Sequence, residues 1–286
     1  MTRLSRRHLL GLGIGALSAT QFRPARASEG GAEAHAIEAH GMSAFGDLKY
    51  PADFPHFDYI NPAAPKGGMF SLIPSVRAYN QSYFTFNSLN AFILKGEGAQ
   101  GMDMTFVPLM VRASDEPDAM YGLAAKSVQI SADKLTYRFT MRPEAKFHDG
   151  SKLTARDAAF SLTALKEKGH PLIIVQLRDL VKAEALDDAT LIVTFAAKRA
   201  RDVPLYVAGL PIFSQAYYAN RPFDESTLDT PLGSKLTLSA SGGFASIWRS
   251  ADSARVCRTS SGAATIVARC PGGSTTKAWA FRVVIA

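Results

Sequence analysis

The stretch LTYRFTMRPEAKFHDGSKLTARDAAFSL, residues 135–162, carries the plainest structural signal in the chain. Leu135, Tyr137, Phe139 and Met141 alternate with Thr136, Arg138, Thr140 and Arg142, the period-2 pattern of a strand with one face buried. Pro143 ends that strand. Phe147-His148-Asp149-Gly150 predicts a tight turn, because Asp tolerates the bend and Gly takes positive φ without a Cβ clash. Thr154 then predicts a helix N-cap, with Asp157 at capping-box spacing in place of the usual Glu. Ala158, Phe160, Ser161 and Leu162 carry the helix inward.

Outward from this unit the chain reads as mixed α/β. Upstream, Tyr121 to Ile130 reads as a loop leading into a strand, paired across Ser131-Ala132-Asp133-Lys134 with the strand that opens the central stretch. Residues 86–98 and 105–111 are apolar pieces between loops, and Met69 to Pro74 is a short strand after a Gly-Gly turn. Downstream, Leu177 to Leu186 follows the KEKGHP break at 166–171 and suits a short strand or helix. Asp187-Asp188 turns the chain into a clear strand, Thr190 to Phe195. Val203 to Leu210 is a helix or strand ended by Pro211, and Ser214 to Ala219 is helical. There is no internal repeat, and the alternation of hairpins and helices makes the body α/β.

The N-terminus is a different kind of sequence. Ser5-Arg6-Arg7-His8-Leu9-Leu10 sets an arginine pair before a short apolar run, and Ala25-Arg26-Ala27 offers small residues for a signal peptidase. Residues 1–27 are therefore expected to be a signal peptide cleaved after Ala27, of twin-arginine type or, alternatively, an ordinary secretory signal. The run is too short to span a membrane as a helix. Residues 28–39 read as a flexible mature N-terminus. Residues 40–68 contain four prolines, which preclude a long helix. Their aromatic residues Phe45, Tyr50, Phe54, Phe57 and Tyr59 suit an extended arm docked on a larger body.

The net charge of +7 would suggest a polyanion partner, but its distribution removes that reading. Residues 28–234 hold 20 basic and 24 acidic residues, so the body is mildly acidic and nucleic acid is not an expected partner. Both cysteines, Cys257 and Cys270, lie after residue 234.

Catalytic patterns are weak. His148-Asp149 reads as part of the turn, His35, His40, His56 and His170 lack metal-ligand spacing, and Ser127 and Ser161 lack nucleophile-elbow glycines. No glycine cluster matches a phosphate loop. No enzyme, metal or cofactor is therefore expected. The candidates for ligand contact are Tyr79, Asn80, Phe84, Asn87 and Asn90, loop residues whose amides both donate and accept and whose rings can line a pocket.

Seven segments occur in a specific order: HGMSAFGDLKYPADFPHFDYINPAAPKGG, FNSLNAFILKG, SDEPDAMYGLAAKSV, RPEAKFHDGSKLTARDAAFSL, LKEKGHP, EALDD and PLGS. Together, over roughly residues 40–234, they resemble the family 5 extracellular solute-binding proteins, most closely the branch associated with oligopeptide and microcin C uptake. The resemblance implies a periplasmic-binding-protein type II fold, two-lobed and longer than this chain, represented here by an incomplete N-terminal lobe. It implies a monomeric periplasmic receptor that captures a peptide or peptide-like ligand and presents it to an inner-membrane ABC permease. The alternatives are a secreted hydrolase using the polar loops near 79–90 and a stand-alone structural or chaperone-like domain.

The family pattern stops after PLGS. Residues 235–286 lose acids, tyrosines and clear periodicity together and shift to Ser, Thr, Ala, Arg and Gly. That shift reads as an aberrant tail out of frame; the alternative is a basic tail with a Cys257–Cys270 disulfide. The expected organisation is thus 1–27 signal peptide, 28–234 partial N-terminal lobe, and 235–286 tail. With half a cleft, such a fragment would bind poorly.

Overall fold

A computed structural model describes residues 38–63, 70–71, 78–82, 85–228, 234–236, 254–258, 264–268 and 282–283. In chain order the strands before the central stretch are β1 (Glu38–Ala39), β2 (Gly41–Ser43), β3 (Phe70–Ser71), β4 (Met110–Arg112), β5 (Ala119–Gly122) and β6 (Ala125–Ile130). The central stretch forms β7 (Thr136–Met141), β8 (Ala145–Phe147) and helix α1 (Ala155–Lys168). Then come α2 (Pro171–Gln176), β9 (Leu180–Ala185), β10 (Thr190–Phe195), α3 (Val203–Ala208), α4 (Gln215–Tyr218) and β11 (Ser234–Leu236). Three later strands follow: β12 (Ala254–Arg258), β13 (Ala264–Ala268) and β14 (Arg282–Val283). The architecture is mixed α/β.

The main sheet has five antiparallel strands in the order β1-β6-β7-β10-β9. β7 lies at its centre because its alternating apolar face meets apolar neighbours on both sides. Phe139 pairs with Val128 of β6 and Leu191 of β10, and Tyr137 pairs with Val193. Tyr137, Phe139 and Met141 are buried and Arg138 is exposed, as the period-2 reading requires. Helix α1 covers the sheet beside β9 and β10 and inserts Ala158, Leu162 and Leu165. A three-stranded sheet, β2-β5-β4, packs into the same core through Met42, Met110, Met120 and Tyr121.

The predicted turn forms. Gly150 takes φ +91° and donates its N–H to Phe147 O at 2.9 Å, while Asp149 Oδ1 accepts from Ser151 N at 2.8 Å. The helix cap also forms. The Thr154 N–H and hydroxyl both donate to Asp157 Oδ2, at 2.9 and 2.7 Å. Asp157 Oδ1 accepts from Gln215 N at 2.9 Å, so one buried carboxylate joins the start of α1 to the start of α4.

The fold departs from the sequence reading in three places. Glu38–Ala39, expected within a flexible end, pairs as β1 with Val128 and Gln129 of β6. Residues Ala119–Gly122, partly expected as loop, are the middle strand of the smaller sheet, flanked on both sides. Pro171, expected as a break, opens α2; Pro at the first helical position lacks only an N–H that would have no intrahelical partner there. The ambiguous segments resolve as strand at β9 and helix at α3.

The aromatic arm docks as its composition suggests. Tyr50, Phe54 and Phe57 are buried around Tyr121, with ring centroids 5.5, 5.2 and 5.6 Å from it, whereas Phe45 and Tyr59 remain exposed. At the far edge of the main sheet, Val181 of β9 is exposed, as are Leu172 and Val175 of α2. Lys182 and Glu184 pair along that edge at 2.5 Å, and charge of this kind opposes edge-to-edge strand pairing. β11 pairs with β8, Ser234 opposite Phe147, so the chain returns to the central stretch at residue 234.

Candidate functional site

Four of the five predicted contact residues lie in one loop system, residues 78–99; Phe84 falls outside the described residues. The loop is held by its own amides. Asn80 is buried and donates through Nδ2 to Asn90 O at 3.1 Å and Lys95 O at 3.0 Å. Its main chain is locked as well, with Gly98 N donating to Asn80 O at 2.8 Å and Ser82 N to Gly98 O at 2.9 Å. Residue 98 is glycine for a steric reason: a Cβ there would lie 2.4 Å from Asn80 Oδ1 and 3.1 Å from Ala91 Cα. Asn87, which is exposed, accepts from Glu97 N through Oδ1 at 2.7 Å.

Asn90 ties the loop to the far end of the body. Its buried Nδ2 donates to Phe223 O at 2.7 Å and its Oδ1 accepts from Phe92 N at 3.1 Å. Leu89 N reaches Thr227 O at 2.7 Å on the same distant segment. The three amides therefore brace the loop. Among the described residues, Asn80 Oδ1 and Gln100 Nε2 are buried polar atoms without a hydrogen-bond partner.

Tyr79 projects from this frame with φ +50°, a left-handed conformation uncommon for a residue with a Cβ. Its half-buried ring lies 5.6 Å from the His170 ring and 6.1 Å from the Phe92 ring, and its hydroxyl is 3.5 Å from the Tyr206 hydroxyl. His170 is fixed by two contacts. Its N–H donates to Phe92 O at 2.7 Å, and its Nδ1 accepts from Leu172 N at 3.3 Å as the cap of α2. An accepting Nδ1 leaves the neutral ring's proton on Nε2. Burial lowers the His170 pKa below its ordinary 6.5, so the ring is neutral at pH 7. Burial, aided by Tyr79, raises the Tyr206 phenol, which stays protonated.

The result is a half-exposed shelf of Tyr79, His170 and Tyr206, with two hydroxyls and one ring nitrogen beside aromatic faces. Such a shelf can hydrogen-bond a main chain and flank a side chain. His170 and Tyr206 were not among the sequence candidates, and no linear signal could join them, since Tyr206 lies 127 positions from Tyr79.

The groups that would suggest catalysis have structural work. Ser161 Oγ donates to Asp157 O at 2.6 Å and accepts from Phe213 N at 2.7 Å. The Ser127 hydroxyl donates to Glu38. Asp149 is held below the usual carboxylate range, first by the Ser151 hydroxyl and then by the Ser151 N–H, all within the turn. Among the described residues no group of three or more His, Cys, Asp or Glu is placed to hold a metal ion, and no helix is long and apolar enough to cross a membrane.

With this frame of hairpins, capped helix and braced loop in place, the comparison with known proteins is informative. Residues 119–235 match the bacterial extracellular solute-binding proteins, family 5, in their middle part. The matched segment includes the five-stranded sheet except β1, together with α1 to α4. The chain is 36% identical over 230 residues to a binding protein of Brucella melitensis, covering 76% of this chain and 35% of that one. It is 35% identical over 204 residues to the peptidoglycan-binding protein YepA of Agrobacterium fabrum, covering 68% and 32%. It is 31% identical over 208 residues to the uncharacterized protein YejA of Escherichia coli K12, covering 71% and 32%. The chain thus spans about a third of the length of these curated relatives. Among solved structures, the oligopeptide-binding protein AppA of Bacillus subtilis with a nonapeptide aligns at TM-score 0.40 and 20% identity, over 52% of this chain and 28% of that one. NikZ of Campylobacter jejuni with Ni(L-His) aligns at TM-score 0.39 and 23% identity, over 52% and 27%.

Proposed function

We propose that this chain is a family 5 solute-binding protein whose role is to capture a peptide or peptide-like solute in the periplasm for import through an inner-membrane ABC permease. The match over residues 119–235 carries the reading, because it covers the sheet and capped helix on which the rest is built. The name of the peptidoglycan-binding relative YepA favours a peptide-like ligand. The ligand would lie in a cleft between two lobes, with Tyr79 and the neighbouring Asn80, Asn87 and Asn90 loop on this side of it; Phe84, the fifth candidate, lies outside the described residues. His170 and Tyr206 join Tyr79 in that surface. Hydrogen bonds to the ligand main chain and aromatic walls for varied side chains are the chemistry such receptors need, and no bond is made or broken.

The test is calorimetry of the purified chain against a mixed tri- to pentapeptide pool and against peptidoglycan stem peptides, with the products examined by mass spectrometry. Weak binding without turnover is expected of half a cleft, weakened about tenfold further by Tyr79→Ala, the loss from removing one well-placed aromatic contact of about 1.4 kcal/mol. Cleaved peptides would establish the hydrolase reading instead. Cooperative unfolding with no peptide-induced stabilisation would favour a structural domain.

We further read 1–27 as an export signal, 28–234 as the receptor-derived body and 235–286 as sequence outside the family pattern. The family match ends at residue 235, where the composition shifts. Translating the other two frames downstream of codon 234 is expected to restore receptor-like sequence. Finding none in either frame would overturn that division.

A further inference from the structure

A cavity of about 380 Å³ lies where β1, the β5–β6 turn and the end of β7 meet. Its walls include Glu38, His40, Tyr121, Lys126, Ser127 and Arg142. Arg142 is half-buried and anchored from behind. Its Nε donates to Leu123 O at 2.9 Å and its main-chain N to Ala124 O at 2.8 Å. Among the described residues, neither terminal nitrogen of Arg142 nor Nζ of Lys126 has a hydrogen-bond or ion-pair partner. Glu144 acts on Arg142 only through space, and Glu38 accepts the Ser127 hydroxyl. His40 Nε2 donates to Tyr50 O at 2.8 Å. The two terminal nitrogens of this half-buried guanidinium keep four N–H donors in one plane, the arrangement that receives an oxyanion, and burial depresses the Arg142 pKa.

We propose that this cavity binds a small solute through a carboxylate or phosphate oxyanion, received by the two terminal nitrogens of Arg142 with Lys126 at the rim. The planar fork of Arg142 suits two parallel N–H···O bonds, and Ala39, Ala52 and the edge of Phe54 line the wall beside it. The site shares no residue with the Tyr79 shelf, so it stands or falls separately from peptide capture.

Thermal unfolding of the full chain in glutarate or inorganic phosphate, with ionic strength matched by sodium chloride, tests it. Saturating oxyanion is expected to raise the midpoint by roughly 3 °C over the chloride control. Arg142→Gln should abolish that rise, and Lys126→Ala, an exposed change that leaves the Leu123 contact intact, should reduce it. A rise with glutarate alone identifies a carboxylate, and with phosphate alone a phosphate ligand. No rise in the wild-type chain, or an equal rise in wild type and Lys126→Ala, overturns the proposal even if Arg142→Gln fails to fold.

Discussion

Tyr121→Ala is expected to destabilise the protein by about 4 kcal/mol, near the upper end for large-to-small core changes. The side chain is fully buried on β5 and stands among four rings, with the His40 centroid 5.8 Å away in addition to Tyr50, Phe54 and Phe57. The hydroxyl adds two contacts, donating to Glu116 Oε2 at 2.7 Å and accepting from Tyr50 N at 3.1 Å. Burial raises its pKa, so it remains a donor throughout the neutral range. Tyr121→Phe keeps the ring and should cost only about 1 kcal/mol. Urea unfolding separates the two; a Tyr121→Ala loss below that of Tyr121→Phe would show that the ring cluster is not what fastens the arm.

Asp157→Ala should cost about 3 kcal/mol, more than an ordinary cap substitution. A surface cap satisfies one or two N–H groups that water can otherwise reach. Here the buried carboxylate receives Thr154 N, Thr154 Oγ1 and Gln215 N, and its loss strands donors at the starts of two helices. Asp157→Asn keeps an acceptor oxygen for only one of the two donor sets and turns its NH2 toward the other, so an intermediate loss is expected. Thr154→Ala removes one contact and should cost about 1 kcal/mol. Equal losses for Thr154→Ala and Asp157→Ala would mean that the Gln215 contact contributes nothing.

Local patterns carried the parts of the fold that close locally. The β7 alternation, the Gly150 turn and the Thr154–Asp157 cap each need only residues within a few positions of one another, and each forms as read. The parts that escaped are settled by distant partners. Glu38–Ala39 becomes strand because β6 offers an edge, and Tyr121 becomes a core centre because the arm wraps it. Pro171 could have been read as a helix start, since His170 before it can cap. In the candidate site, the asparagines were visible as polar loop residues, but their bracing of main chain rather than display to solvent depends on Phe223 and Gly98. His170 and Tyr206, which complete the shelf around Tyr79, come from the cap of α2 and from α3, which no spacing rule connects to residue 79.

The contact between Asn90 and Phe223 also sets an order of events in folding. It bridges 133 positions, so closing that loop carries an entropic cost of roughly 4 kcal/mol beyond the fixed part. During synthesis from the N-terminus, the hairpins and α1 can assemble as they emerge, because their partners are close in sequence. The loop bearing Tyr79 has to wait until residue 227 has left the ribosome. The sheet and α1 therefore assemble before the loop that carries Tyr79, whose fastening comes late.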